Sequence, residues 1–74
     1  MAVRLVFLGR LADLAGAELL VAPGSLTNIL AQLDPALLGP RIRLALNGTV
    51  LTDTAGVVLH EGDELAFLPP VSGG

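Results

Sequence analysis

The sequence predicts a small α+β domain in which one helix covers one face of a mixed β-sheet. Two segments near opposite ends of the chain, 3–8 and 64–68, are apolar on both faces, which is typical of strands in the middle of a sheet. Residues 26–33 repeat apolar side chains at helical spacing, and Asn47-Gly48 indicates a tight hairpin. With 74 residues, the chain has room for one domain, 1–74, and no second core.

The N-terminal half is predicted to hold two strands and the main helix. The first strand, 3–8, is followed by a short helical turn at 11–15 and a second strand at 18–22. Pro23-Gly24 is a turn signal, and Ser25 is placed to cap the main helix. Asp34-Pro35 should end that helix, because the residue before proline disfavours the helical conformation. Its predicted core positions are Leu26, Ile29, Leu30 and Leu33.

The C-terminal half is predicted to be mostly strands. After a linker at 36–40, strands at 43–46 and 49–51 flank the Asn-Gly turn, and a short irregular stretch that ends at 57–59 precedes the last strand at 64–68. The turn between those two carries His60 and the acids Glu61, Asp63 and Glu64, which we expect to face solvent. A single histidine without cysteine makes a poor metal site, so no metal is predicted.

Composition excludes several classes of protein. The absence of cysteine excludes disulfides, thiolate metal sites and cysteine nucleophiles, and four arginines against seven acids argue against nucleic-acid binding. A mean hydropathy of +0.76 raises the question of a membrane, but charges and prolines interrupt every apolar stretch. Arg10 and Asp13 also make the start of the chain unlike a signal peptide. We therefore expect a cytoplasmic protein that contacts neither membrane nor nucleic acid.

The last six residues, 69–74, are predicted to form a flexible tail. Pro69 and Pro70 cannot donate to a sheet, so strand pairing should end there with the backbone held extended. The sequence then ends Ser72-Gly73-Gly74, and a terminus without bulky side chains can enter a narrow channel. The tail would deliver the carboxylate of Gly74, a group that ATP can activate; the alternative is a merely frayed end.

The chain resembles the small subunit of molybdopterin synthase. FLPPVSGG at 67–74, following EGDELA at 61–66, is similar to the C-terminus of that family, and the opening VRLVFLGRLADLAG is similar to its start. The Pro-Pro pair favours this family over the related sulfur carriers of the thiamine pathway. The resemblance implies a ubiquitin-like β-grasp fold, with a mixed sheet of about five strands and one main helix.

The resemblance also implies a function as a sulfur carrier that is not an enzyme on its own. An ATP-dependent activating enzyme, which uses ATP with magnesium, would adenylate Gly74, and a sulfur-donating system would convert it to a thiocarboxylate. Two carriers would then supply sulfur to cyclic pyranopterin monophosphate in the large subunit, within an assembly of two small and two large subunits. The chain itself would bind no cofactor. Without cysteine, it can hold sulfur only at its terminus.

Partner binding is assigned to the tail and to the second apolar face of the sheet. The residues predicted to contact partners are Val6, Leu8, Phe67, Leu68, Pro69, Pro70, Val71, Ser72 and Gly73, with Ala66 completing the apolar face. Packing of some of these within the domain is the competing interpretation. Three functional alternatives stay open: a carrier for thiamine or another thiolated product, a ubiquitin-like modifier of lysines, and a passive interaction module.

Overall fold

A five-stranded mixed sheet forms the body of the protein in the computed structural model, which describes residues 2–70. Its strands lie in the order β2-β1-β7-β4-β5. A second sheet of two short strands pairs β3 with β6. The bounds are β1 Val3–Phe7, β2 Glu18–Val21, β3 Gly24–Ser25, β4 Arg43–Leu46, β5 Thr49–Val50, β6 Val58–Leu59 and β7 Glu64–Leu68.

The two strands that are apolar on both faces lie side by side in the middle of the sheet, as predicted. β1 and β7 run parallel, with Leu5 opposite Leu65 and Phe7 opposite Phe67. All other strand pairs are antiparallel, so the sheet is mixed. The residues on one face of these strands, such as Leu5 and Leu65, are fully buried in the core, whereas Val6 and Ala66 on the other face are half-buried. The first strand ends at Phe7, one residue earlier than predicted.

The helices are short, and the main one is shorter than predicted. α1 spans Leu11–Ala15 and α2 spans Leu26–Ala31, with Ser25 Oγ accepting from the backbone N–H of Asn28 at 3.1 Å, which confirms the cap. The predicted end at Asp34-Pro35 is wrong, because the chain tightens after Ala31 into i→i−3 bonds. The expected linker at 36–40 begins instead as a 3₁₀ helix, Pro35–Leu38. No helix within residues 2–70 is long and apolar enough to cross a membrane.

The hydrophobic core lies between α2 and one face of the sheet. Two of its members, Phe7 and Phe67, stack with ring centroids 4.8 Å apart. Leu30 and Leu33 are partly buried and pack against this core, so all four predicted helix positions face it. The fully buried members of the core are Val3, Leu5, Phe7, Leu11, Leu26, Ile29, Leu37, Leu59, Leu65 and Phe67.

The Asn-Gly hairpin also anchors the turn before β7. Asn47 and Gly48 have φ angles of 49° and 89°, the positive values that a type I′ turn requires. The side chain of Asn47 donates to Asp63 at 3.0 Å and accepts from the backbone N–H of Glu64 at 2.9 Å. The prediction that Asp63 faces solvent is therefore wrong: its half-buried carboxylate holds two loops together.

Candidate functional site: the root of the tail and the outer sheet face

The tail leaves the domain from a strand in the interior of the sheet. β7 is paired on both sides, by β1 and by β4, up to Leu68. Its Phe67 is fully buried, and the Phe67 carbonyl accepts from the backbone N–H of Leu8 at 3.1 Å. Pro69 and Pro70 follow at once and end the pairing, as the sequence predicts. The assignment of Phe67 to partner binding is wrong, because its side chain packs in the core and anchors the strand.

Gly9 fixes the position of Pro69. Its φ of +56° turns the chain sharply after β1, and a Cβ built on Gly9 would lie only 3.0 Å from Cγ of Pro69. The half-buried Pro69 ring thus rests directly on the backbone of the turn that precedes α1. Sequence reasoning missed this contact, because it depends on the parallel pairing of the first and last strands.

The reactive group predicted from the sequence lies outside the described residues. Val71, Ser72, Gly73 and Gly74 are not part of residues 2–70, so the roles assigned to them stay predictions. What the structure defines is the root, where Pro69 and Pro70 leave the sheet. Any partner that takes up the tail must approach the surfaces around these two prolines.

The structure brings the predicted apolar face together on the side of the sheet away from α2. Val6 and Ala66 are direct neighbours in the pairing of β1 with β7, and Leu8 and Leu68 each follow two residues later in the chain. None of the four belongs to the core or packs against it. Leu8 is 41% exposed, and the other three are half-buried. We call this set the outer patch.

Strand pairing extends the outer patch to residues that the sequence analysis did not find. Ala45 lies opposite Ala66, Val50 lies opposite Ala45, and Leu20 lies opposite Arg4. Opposed residues share a face, so all three belong to the outer side. Leu20 is 62% exposed and Val50 is 45% exposed. Strand order and register were needed to find them.

An ion-pair cluster borders the outer patch. Arg4 bonds to Glu64 on one neighbouring strand and lies 3.4 Å from a carboxylate oxygen of Glu18 on the other. The hydrogen bond and charge of Glu64, with the charge of Glu18, raise the pKa of Arg4 above its ordinary value. The cluster ties together β2, β1 and β7 at the end of the sheet opposite the tail.

The turn before β7 is structural in character. The backbone N–H of His60 donates to Asp63 at 2.8 Å, and this bond, with that from Asn47, lowers the pKa of Asp63 below its usual 3.8. The imidazole of His60 is 77% exposed, with Nδ1 3.8 Å from Asp63. Within residues 2–70, no group of three or more metal-ligating side chains is placed to hold an ion.

These features define a ubiquitin-like β-grasp domain, in which a mixed sheet wraps one helix and the C-terminal segment leaves from a central strand. The sequence narrows the class further: residues 5–74 match the ThiS family, and the chain belongs to that family. The match reaches Gly74. The resemblance to small ubiquitin-fold sulfur carriers predicted from the sequence is thereby confirmed. No curated protein matched the chain.

Two solved structures share the fold over essentially the whole chain. Small archaeal modifier protein 1 from Methanosarcina acetivorans superposes with a TM-score of 0.75 at 25% identity, covering 99% of this chain and 96% of the other. Subunits 1 and 2 of the molybdopterin-converting factor from Helicobacter pylori 26695 were solved as a complex. The matched chain superposes with a TM-score of 0.72 at 24% identity, covering all of both chains. The expected β-grasp fold is confirmed.

Proposed function

We propose that the protein is the sulfur-carrier subunit of a molybdopterin synthase, with the carboxylate of Gly74 as its reactive group. The observation that carries the proposal is the root of the tail: a central strand ends in Pro69-Pro70, and the remaining residues read Val-Ser-Gly-Gly. The family match through Gly74 supports it, as does the full-length likeness to a molybdopterin-converting factor chain.

The chemistry requires the carrier to present one group accurately. A carboxylate oxygen of Gly74 attacks the α-phosphorus of ATP and pyrophosphate leaves, which gives an acyl-adenylate. A sulfide equivalent from the sulfur donor then attacks the carbonyl carbon and displaces AMP, which gives the thiocarboxylate. The activating enzyme supplies the nucleotide and metal, and the large subunit supplies the pterin site.

The carrier contributes docking and aim. The outer patch gives partners an apolar surface beside the root of the tail, and burial of such surface stabilises a complex. Pro69, held against Gly9, sets the direction in which the tail leaves. Both features convert a chance encounter of Gly74 with the reacting atom into a positioned one, which is a large part of what a protein can contribute to the rate.

Intact-mass measurement tests the proposal. The chain is incubated with ATP, magnesium, the activating enzyme of the same genome and a sulfur donor; the mass should rise by the exchange of one oxygen for sulfur. A variant lacking Gly73 and Gly74 is the control and should not change. Addition of the large subunit and pterin precursor should then give the dithiolene product. Thiolation without that product would favour the thiamine pathway or another thiolated product.

A second candidate is a ubiquitin-like protein modifier. The likeness to small archaeal modifier protein 1 favours it, since the two share the fold at 25% identity over nearly the full chain. In that case the activated carboxylate of Gly74 is attacked by a lysine amine of a target and an isopeptide bond forms. The same mass experiment, performed with cell extract, separates the candidates: covalent adducts without thiocarboxylate would indicate the modifier.

A further inference from the structure

A groove lies against the root of the tail, on the side of the molecule that carries α1. Its volume is about 510 Å³, and its apolar lining includes Leu14 of α1, Ile42 and the rings of Pro69 and Pro70. Arg10 and Arg41 also line it. None of the outer-patch residues lines this groove, which we call the tail-root groove.

Three of the four arginines gather at the tail-root groove. Arg10 and Arg41 line it, and Arg41 and Arg43 line an adjoining hollow together with Pro70. Among residues 2–70, the ion pairs formed by arginine all involve Arg4, which sits in the cluster at the other end of the sheet. The chain has a net charge of −3, so a basic region at the tail stands out against an acidic remainder. Because of this charge separation, the groove should attract negatively charged partner groups.

The lining of the groove includes an apolar side chain that does not pack in the core. Leu14 is 61% exposed and does not pack against the core. Its helix neighbour Leu11 is buried, so α1 is fixed by Leu11 and leaves Leu14 free for another contact. An exposed leucine in the same groove as two arginines fits a partner segment that combines an apolar side chain with carboxylates.

We propose that the tail-root groove binds an acidic segment, carrying one apolar side chain, on the activating enzyme that receives the tail. This inference rests on the proposed function. An extended run of four residues spans at most about 14 Å, so a tail extended into a channel carries the carboxylate of Gly74 well away from Arg10 and Arg41. The arginines then face the mouth of the channel, where a protein surface lies, and not the phosphates of the nucleotide.

Charge reversal at the groove tests the inference. The double variant Arg10→Glu/Arg41→Glu is compared with wild type in ATP–pyrophosphate exchange by the activating enzyme of the same genome, at low and high salt. We expect KM for the carrier to rise about tenfold or more at low salt with kcat unchanged, and the difference to shrink at high salt, because these contacts are exposed to solvent. Arg10→Lys/Arg41→Lys should keep most of the affinity. Leu14→Gln should raise KM with little salt dependence.

A control introduces two acidic side chains elsewhere, with half the change in net charge of the reversal and the same change as Arg10→Gln/Arg41→Gln. Thr27→Glu/Asn28→Asp places acids in the exposed first turn of α2, where negative charge is favourable and where no residue lines the groove. Its KM should stay within about twofold of wild type, since distant exposed charges are screened. Thermal unfolding followed by circular dichroism verifies that each variant is folded, and Arg10→Gln/Arg41→Gln replaces the reversal if it is not.

Each other outcome overturns the inference in a recognisable way. Unchanged KM in a folded variant that is still adenylated removes the groove as a docking site and leaves the proposed function intact. A loss of kcat at unchanged KM assigns the arginines to the nucleotide instead. A lowered KM indicates that the groove holds the chain's own end. If wild-type carrier supports no exchange at all, the proposed function fails, and this inference fails with it.

Discussion

Gly9→Ala should misdirect the tail without unfolding the domain. Alanine at the positive φ of Gly9 costs about 1–2 kcal/mol. The new Cβ would lie 3.0 Å from Pro69 Cγ, so the proline ring must recede by about 0.4 Å to reach the 3.4 Å at which ordinary contact begins. Because a misplacement of ~1 Å can cost ~10²-fold in rate, a shift of this size should lower kcat for adenylation by about sixfold.

The chain offers a matched control for Gly9→Ala. Gly56 also has a positive φ, +74°, but a Cβ there would meet nothing within 4 Å. Gly56→Ala should therefore carry a comparable backbone cost, a fall in Tm of roughly 4–8 °C per kcal/mol for a domain of this size. The assay is the initial rate of ATP–pyrophosphate exchange at saturating carrier. Equal kcat for the two variants would refute the idea that contact between Gly9 and Pro69 aims the tail.

Three further predictions concern the outer patch and the turn before β7. Leu68→Asp should remain folded, because Leu68 lies outside the core. Its affinity for the large subunit, measured by calorimetry, should fall by about tenfold or more. Unfolding of the variant would place Leu68 in the core, and unchanged affinity would remove it from the interface. Asn47→Gly keeps the turn but loses two hydrogen bonds, so the free energy of unfolding in urea should fall by about 2 kcal/mol. Asn47→Ala should lose about 1–2 kcal/mol more, because alanine is strained at the positive φ of this position. Equal losses in the two variants would contradict this strain. The lowered pKa of Asp63 means that its contribution to stability is complete above its unfolded value near 3.8 and is lost as pH falls towards the lower folded value. Urea titrations of wild type and Asp63→Asn should therefore differ most at neutral pH and converge in acid, and a difference that is independent of pH would contradict this.

Features encoded by neighbouring residues could be predicted from the sequence. The Ser25 cap and the Asn47-Gly48 turn depend on a few adjacent positions, and both are confirmed. The central placement of β1 and β7 could be predicted because segments that are mostly apolar on both faces are typical of the middle of a sheet. The pairing of Gly24–Ser25 with Val58–Leu59 could not be, since two residues show no periodicity.

Features that depend on contacts between residues far apart in the sequence could not be predicted. Leu20, Ala45 and Val50 join the outer side only through strand register, and Gly9 meets Pro69 only because the first and last strands run in parallel. The sequence predicts Asp63 to be a solvated acid in a charged turn, because it does not show the hydrogen bond that Asn47 donates to Asp63. The tail-root groove combines α1, the segment after the 3₁₀ helix and the tail, and no local pattern reports on such a combination.

The position of β7 has a mechanical consequence. Any pull on the tail is transmitted to a strand held by hydrogen-bond ladders on both sides, to β1 and to β4, so the load is shared across the sheet as shear. Phe67, stacked on Phe7 one residue before the strand ends, resists withdrawal of the strand from the core. A partner that binds the tail can therefore exert force on it without unfolding the domain.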